Sequence, residues 1–229
     1  MQVIPVVDLI AGQVVRAKMG DRDAYRPIET PLSPTPDPVD VVAGLLRLAA
    51  FPTLYVADLD AIRGRGDNFA ALARLRTAFP SLQLWIDNGA DDDGAVTATR
   101  RFGAPVLGSE SQRDLALIAA TPDALLSLDF RGDAFQGPPE LLARPDLWPD
   151  RIIAMTLGRV GSGAGPDLDR LARIRALAGA RCLYAAGGVR NAADLAALRA
   201  AGAAGVLVAS ALHDGRVAAA DLRSDTAAL

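Results

Sequence analysis

The chain has 229 residues, of which 51% are hydrophobic, with 24 basic and 27 acidic side chains and a net charge of -3. This length and apolar content suffice for one large core, whereas the balanced charge leaves no electrostatic footprint for nucleic acid. No apolar run reaches the ~18 residues that span a bilayer, the N-terminus shows no signal-peptide pattern, and the single cysteine, Cys182, excludes an internal disulfide or a thiolate metal cluster, so the expectation is a soluble, cytoplasmic protein.

Taken from the N-terminus, short β-branched and apolar runs predict strands near Val3–Val7, Thr53–Ala57, Gln83–Ile86, Pro105–Leu107, Ala124–Leu128, Ile152–Met155, Cys182–Ala185 and Gly205–Val208. Alanine- and leucine-rich segments alternate with them, at Val39–Ala49, Phe69–Phe79, Asp167–Ala178 and Asn191–Ala200, with Asp40, Asp167 and Asn191 as caps. Eight strand–helix units in this length predict a closed parallel (β/α)8 barrel, an α/β TIM barrel filling residues 1–229 as one domain. Cys182 falls within a strand run and reads as core filler.

The two halves repeat. Ala57 to Ala154, Gly89 to Gly188 and Val106 to Val206 are separated by 97, 99 and 100 residues, which places half-barrels at about 1–115 and 116–229. Asp8 and Asp129, each ending a strand, are farther apart because the first loop, 12–38, is long and ends in the proline-rich stretch Pro31 to Pro38. A loop of that length is read either as an active-site lid or as a rigid surface arm. The glycine-rich stretch 157–166 reads as a mobile loop or a linker after the sixth strand.

In a parallel barrel the chemistry gathers at the carboxyl ends of the strands. The residues expected there are Asp8, Asp58, Asp87 and Ser109 from the first half, and Asp129, Thr156, Gly187, Gly188 and Ser210 from the second. Asp8 and Asp129 should face each other across the mouth. Such a pair suits a reaction in which one carboxylic acid protonates a ring oxygen or imine while the other carboxylate removes a carbon-bound proton. Thr156 is the third catalytic candidate. The alternative is that each aspartate caps a helix or pairs with an arginine such as Arg16 or Arg131. Gly187 and Gly188 after the seventh strand, with Ala209 and Ser210 after the eighth, offer backbone amides in the place where barrels commonly hold phosphate. Gly108 and Ser109 could add amides from the first half, and Asp58, Arg16 and Lys18 complete the set of expected substrate or phosphate contacts. Asp91, Asp92 and Asp93 read as a helix start rather than a metal site, and no metal or cofactor is expected. His213 should lie on the outer helix or turn and is not expected to act as a base.

Four stretches resemble a known group: Ile4 to Arg16, Tyr55 to Asp60, Ser127 to Arg131, and Ala186 to Leu195. They are similar to the HisA/HisF family of phosphosugar barrels from histidine biosynthesis. That resemblance implies paired catalytic aspartates at Asp8 and Asp129 and an Amadori aldose-to-ketose isomerisation or an ammonia-dependent cyclisation of a phosphorylated ribotide. Two motifs depart from it. Asp87-Asn88-Gly89-Ala90 stands where a glycine pair is usual, and Thr156-Leu157-Gly158-Arg159 lacks the usual acidic loop residue. The segments 20–28 and 55–64 look closer to a related branch of methanogens and methylotrophic bacteria, associated with one-carbon cofactor pathways of the methanopterin and methanofuran kind.

The expectation is a divergent enzyme using isomerase-type acid/base chemistry on a small phosphorylated metabolite. The alternatives are the histidine-pathway isomerase itself and a non-catalytic barrel serving as a binding or assembly partner. A homo-oligomer is compatible with the sequence.

Overall fold

A computed structural model describes residues 1–223. Within them eight parallel strands alternate with helices: β1 (Gln2–Ile10), β2 (Thr53–Asp58), β3 (Gln83–Asp87), β4 (Ala104–Gly108), β5 (Leu125–Arg131), β6 (Arg151–Thr156), β7 (Cys182–Ala186) and β8 (Gly205–Val208). Each pairs with the next in chain order, and β8 returns to β1 with Gln2 opposite Gly205 and Pro5 opposite Val208. The sheet is therefore closed, and the chain is a (β/α)8 barrel. The longer helices are α1 (Pro38–Leu48), α2 (Phe69–Ala78), α3 (Asp93–Arg100), α4 (Ala116–Ala120), α5 (Leu168–Ala178) and α6 (Ala192–Ala200).

Every predicted strand forms, because each is buried on both faces and its apolar run is continuous. Side chains alternate across the pleat. Ile4, Tyr55, Trp85, Val106, Leu125, Ile153, Tyr184 and Leu207 fill the inside of the barrel. Val7, Leu54, Ile86, Leu126 and Ile152 point outward and meet Leu72, Leu75, Ile174 and Leu198 of the helices. Trp85 and Tyr184 meet edge to face inside the barrel with centroids 5.0 Å apart. A methyl group on Gly205 would come within 2.7 Å of Tyr184 Cδ1, so the glycine makes room for that ring.

The caps follow local chemistry. Asp167 accepts the Arg170 N–H and Asn191 accepts those of Ala193 and Asp194, as expected. α1 starts earlier than predicted: Asp37 accepts the Val39 N–H at 2.9 Å, with Pro38 as the first helical residue. Asp40 lies in the first turn instead, where a carboxylate also suits the helix dipole. Asp92 caps α3 through the Ala95 N–H at 2.8 Å.

Two features adapt the barrel. β1 and β5 each continue into an antiparallel strand, Gln13–Arg16 and Ala134–Gln136, and the register is the same in both: Asp8 opposes Val15 and Asp129 opposes Gln136. The strand Arg26–Pro27 then pairs with Gln13–Arg16. The long first loop is thus built as an extension of the sheet, with a single 3-10 turn at Arg22–Ala24. Cys182, expected in the core, is exposed. As the first residue of β7 it lies at the amino end of the strand, and burial begins at Leu183.

Candidate active site

The carboxyl ends of the strands enclose a cavity into which the inward-facing residues project. β1 contributes Asp8, β2 Tyr55, β3 Asp87, β5 Asp129 and β6 Met155. Gly108 at the end of β4 lies between two of the acids: a Cβ there would be 3.3 Å from Asp87 Oδ2 and 3.5 Å from Asp129 Oδ2. The absence of a side chain at Gly108 lets those carboxylates converge.

Each acid is held differently. Asp129 is 3% exposed; Ser127 Oγ donates to its Oδ1 at 2.7 Å and the Glu110 N–H to its Oδ2 at 3.2 Å. Ser109 Oγ accepts the Asp129 N–H at 2.9 Å and stands 2.6 Å from the Gln136 carbonyl. Asp87 accepts the Tyr55 hydroxyl at 3.0 Å and the Gly89 N–H at 3.2 Å. Asp8 faces Arg22, which descends from the 3-10 turn of the first loop and pairs with Glu110.

Burial is the main cause of the proton affinities here, because it penalises the charged form. It pushes Asp8 up to about 7, with Arg22 opposing and Asp87 reinforcing the rise. Asp129 is pushed up to about 8 by burial and by the Asp87 charge, and Asp87 to about 6 by burial and Glu110. Tyr55 is held well above its ordinary range by burial beside Asp87 and Asp129. Tyr25, also on the cavity, rises to about 12 through burial and then Asp8.

The rim formed by β7 and β8, next to Asp8 on β1, is backbone. Gly187, Gly188, Ala209 and Ser210 all line the cavity, with Arg216 beside them. Gly187 and Gly188 have φ of +101° and +91°, and a Cβ would come within 2.6 Å of the Thr156 carbonyl oxygen and 2.1 Å of that of Gly165 respectively. Only glycine fits such a turn. The loops above it meet across the mouth: the Met19 N–H donates to the Val160 carbonyl at 2.8 Å, and Gly161 packs on the Ala17 carbonyl.

Several expected residues stand elsewhere. Thr156 is one position out of register: Met155, opposite Asp129, faces the cavity, while Thr156, opposite Phe130, faces the helices. Asp58 is fully buried and accepts the N–H groups of Ala61 and Asn68 and the Asn68 side-chain amide, so it braces the loop after β2. Arg16 is turned to Asp214 at 2.8 Å and to the Glu29 carbonyl, and Lys18 is exposed beyond the cavity lining. Ser109 and Gly108 do not line the cavity; the first positions Asp129 and the second gives it space. The arginine beside Asp8 is Arg22, not Arg16 or Arg131. His213 is buried, with Nδ1 3.2 Å from Thr30 Oγ1, and burial together with Arg16 pulls it down to about 4, so it is neutral near pH 7. Among the described residues no group of three or more His, Cys, Asp or Glu is arranged to hold a metal ion, and no helix is long and apolar enough to cross a membrane.

Sequence reasoning missed Arg22, Tyr25, Tyr55, Glu110 and Met155. Period-two alternation along β2 and β6 could have placed Tyr55 with Ala57 and Met155 with Ile153 on the inner face. Arg22 comes from a loop, where no spacing rule applies.

A closed barrel with acids and glycine amides collected at its carboxyl mouth has the layout of a barrel enzyme. A profile of the histidine biosynthesis protein family matches residues 2–132 and 146–218, and the chain belongs to that family. It is 26% identical over 219 residues to an uncharacterized protein of Methanocaldococcus jannaschii, covering 94% of each chain. It is 31% identical over 242 residues to the 1-(5-phosphoribosyl)-5-((5-phosphoribosylamino)methylideneamino)imidazole-4-carboxamide isomerase of Anaeromyxobacter dehalogenans strain 2CP-C, covering 96% of this chain and 97% of that one. The isomerase of the same name from Thermus thermophilus is 30% identical over 236 residues, with 95% and 96% covered.

Proposed function

We propose that this chain is a divergent enzyme of the family that acts on a small phosphorylated metabolite by isomerase-type acid/base chemistry. The observation that carries the reading is the meeting, in one cavity, of two acids titrating near neutrality with the Gly187-Gly188 turn. Arg22 favours the charged form of Asp8, which makes Asp8 the base that removes a carbon-bound proton. The Asp87 charge favours the neutral form of Asp129, which makes Asp129 the acid that protonates the imine or ring oxygen. The two proton transfers balance, so the product is an isomer and no co-reactant is consumed. Amides of Gly187, Gly188, Ala209 and Ser210 hold the phosphate. A place in one-carbon cofactor biosynthesis of the methanopterin or methanofuran kind is part of the proposal, supported by the segments 20–28 and 55–64 and by the relative in a methanogen.

A second reading, the histidine-pathway isomerase itself, is favoured by 30–31% identity to proteins of that name. Complementation of a histidine auxotroph lacking the isomerase separates them. No growth is expected; growth would establish the second reading and defeat the first.

A further inference from the structure

The cavity is electrostatically two-sided. The rim formed by β7 and β8 presents glycine backbone and Arg216, with Asp8 of the adjoining β1 beside it, while the far side presents Asp87, Glu110 and Asp129. A second phosphate against these three carboxylates would be repelled at a few ångströms in a buried site. The carboxylate wall already attracts a cation from within the chain: Arg22 reaches across from the first loop, pairs with Glu110, and feels the charges of Asp8 and Asp87. Arg131 also lines the cavity, so two guanidiniums stand against the three acids of that side and leave it short of positive charge. Burial first, and then neighbouring carboxylates, raise Asp87 and Asp129 toward neutral pH. The acids are not arranged as a metal cage among the described residues. The open acceptor set therefore suits an organic cation with several N–H groups, which can donate to carboxylates spread over that side.

We infer that the substrate carries a single phosphate at one end and a protonated amine or amidine at the other, the cation being received by Asp87 and Glu110. This rests on the phosphate grip proposed above. Asp87 and Glu110 set specificity: they reject the second phosphate of a bis-phosphorylated substrate and replace it with a charge-assisted contact.

Calorimetric titration of the full chain with three matched probes tests this: short ω-aminoalkyl phosphates, hydroxyalkyl phosphates of equal length, and the corresponding α,ω-bisphosphates. The aminoalkyl phosphate is expected to bind at least about tenfold more tightly than either partner. Asp87→Asn and Glu110→Gln should each shrink that preference without weakening the hydroxyalkyl phosphate, and a thermal melt confirms that each variant is folded. A bisphosphate that binds as tightly as the amine, a preference that survives both substitutions, or an equal response to Mg2+ alone would overturn the inference while leaving the phosphate grip intact. Failure of all three probes to bind would remove the grip and the inference with it.

Discussion

Two environments separate Asp8 from Asp129, although both occupy the same position on equivalent strands. Asp8 has the Arg22 cation beside it, whereas Asp129 has the Asp87 anion and a set of fixed donors. A base at about 7 and an acid at about 8 are both correctly protonated only in a narrow interval. Activity as kcat/KM should therefore rise through about pH 7 and fall through about pH 8. Replacing Arg22 with methionine removes the group that lowers Asp8, so the rising limb moves to higher pH and the interval narrows. Asp8→Asn should cost roughly 100-fold to 10,000-fold in kcat with folding retained; unchanged function in that variant would favour a non-catalytic barrel. Ser109→Ala removes the acceptor of the Asp129 N–H and the hydroxyl 3.2 Å from Asp129 Oδ2, so it loosens the acid without touching the substrate. A fall in kcat of about tenfold or more with little change in KM is expected.

At the level of elements, the strands were legible because burial on both faces makes their apolar runs continuous. The same property hid which residue of each strand faces the cavity. A strand that alternates apolar and polar residues announces its inner face, but Ile152-Ile-Ala-Met-Thr156 does not, and Thr156 was assigned the side that Met155 occupies. Asp58 was misplaced for a related reason: a carboxylate at a strand end is chemically as fit to bind turn amides as to meet a substrate, and here Asn68 and Ala61 take it. The Gly187-Gly188 turn was readable because its conformation demands glycine. Gly188→Ala places a Cβ 2.1 Å from the Gly165 carbonyl at φ +91°. It should destabilise the protein by about 1–3 kcal/mol in a denaturant titration and weaken phosphate binding in the same preparation.

For the whole molecule, the sequence signals of the family and of the barrel are strong, while the character of the cavity depends on groups brought together from distant segments. Asp87 lies in β3, Glu110 follows β4 and Arg22 rides on the first loop, so their shared site emerges only on folding. That assembly has a thermodynamic signature. Asp8, Asp87 and Asp129 hold protons more tightly in the folded state than in the unfolded one, so folding is favoured at low pH and loses stability from about pH 4, where the unfolded carboxyls ionise, up to the folded values of about 6 to 8. The carboxylates lowered by arginine partners, such as Asp194 and Asp214, lose their contribution only as pH falls below about 4, and so do not offset this. Melting temperature should fall between about pH 4 and 8, and Asp87→Asn should flatten the decline, adding about 3 kcal/mol at the alkaline end. The central claim is that Asp8 and Asp129 perform proton transfer on a phosphorylated metabolite. The direct measurement is incubation of the protein in D2O with a phosphometabolite pool, followed by mass spectrometry and NMR. The account predicts that one monophosphorylated compound gains carbon-bound deuterium or is isomerised by the wild type and not by Asp8→Asn or Asp129→Asn. A pool left unchanged by the wild type, or turnover that persists in both variants, would contradict it.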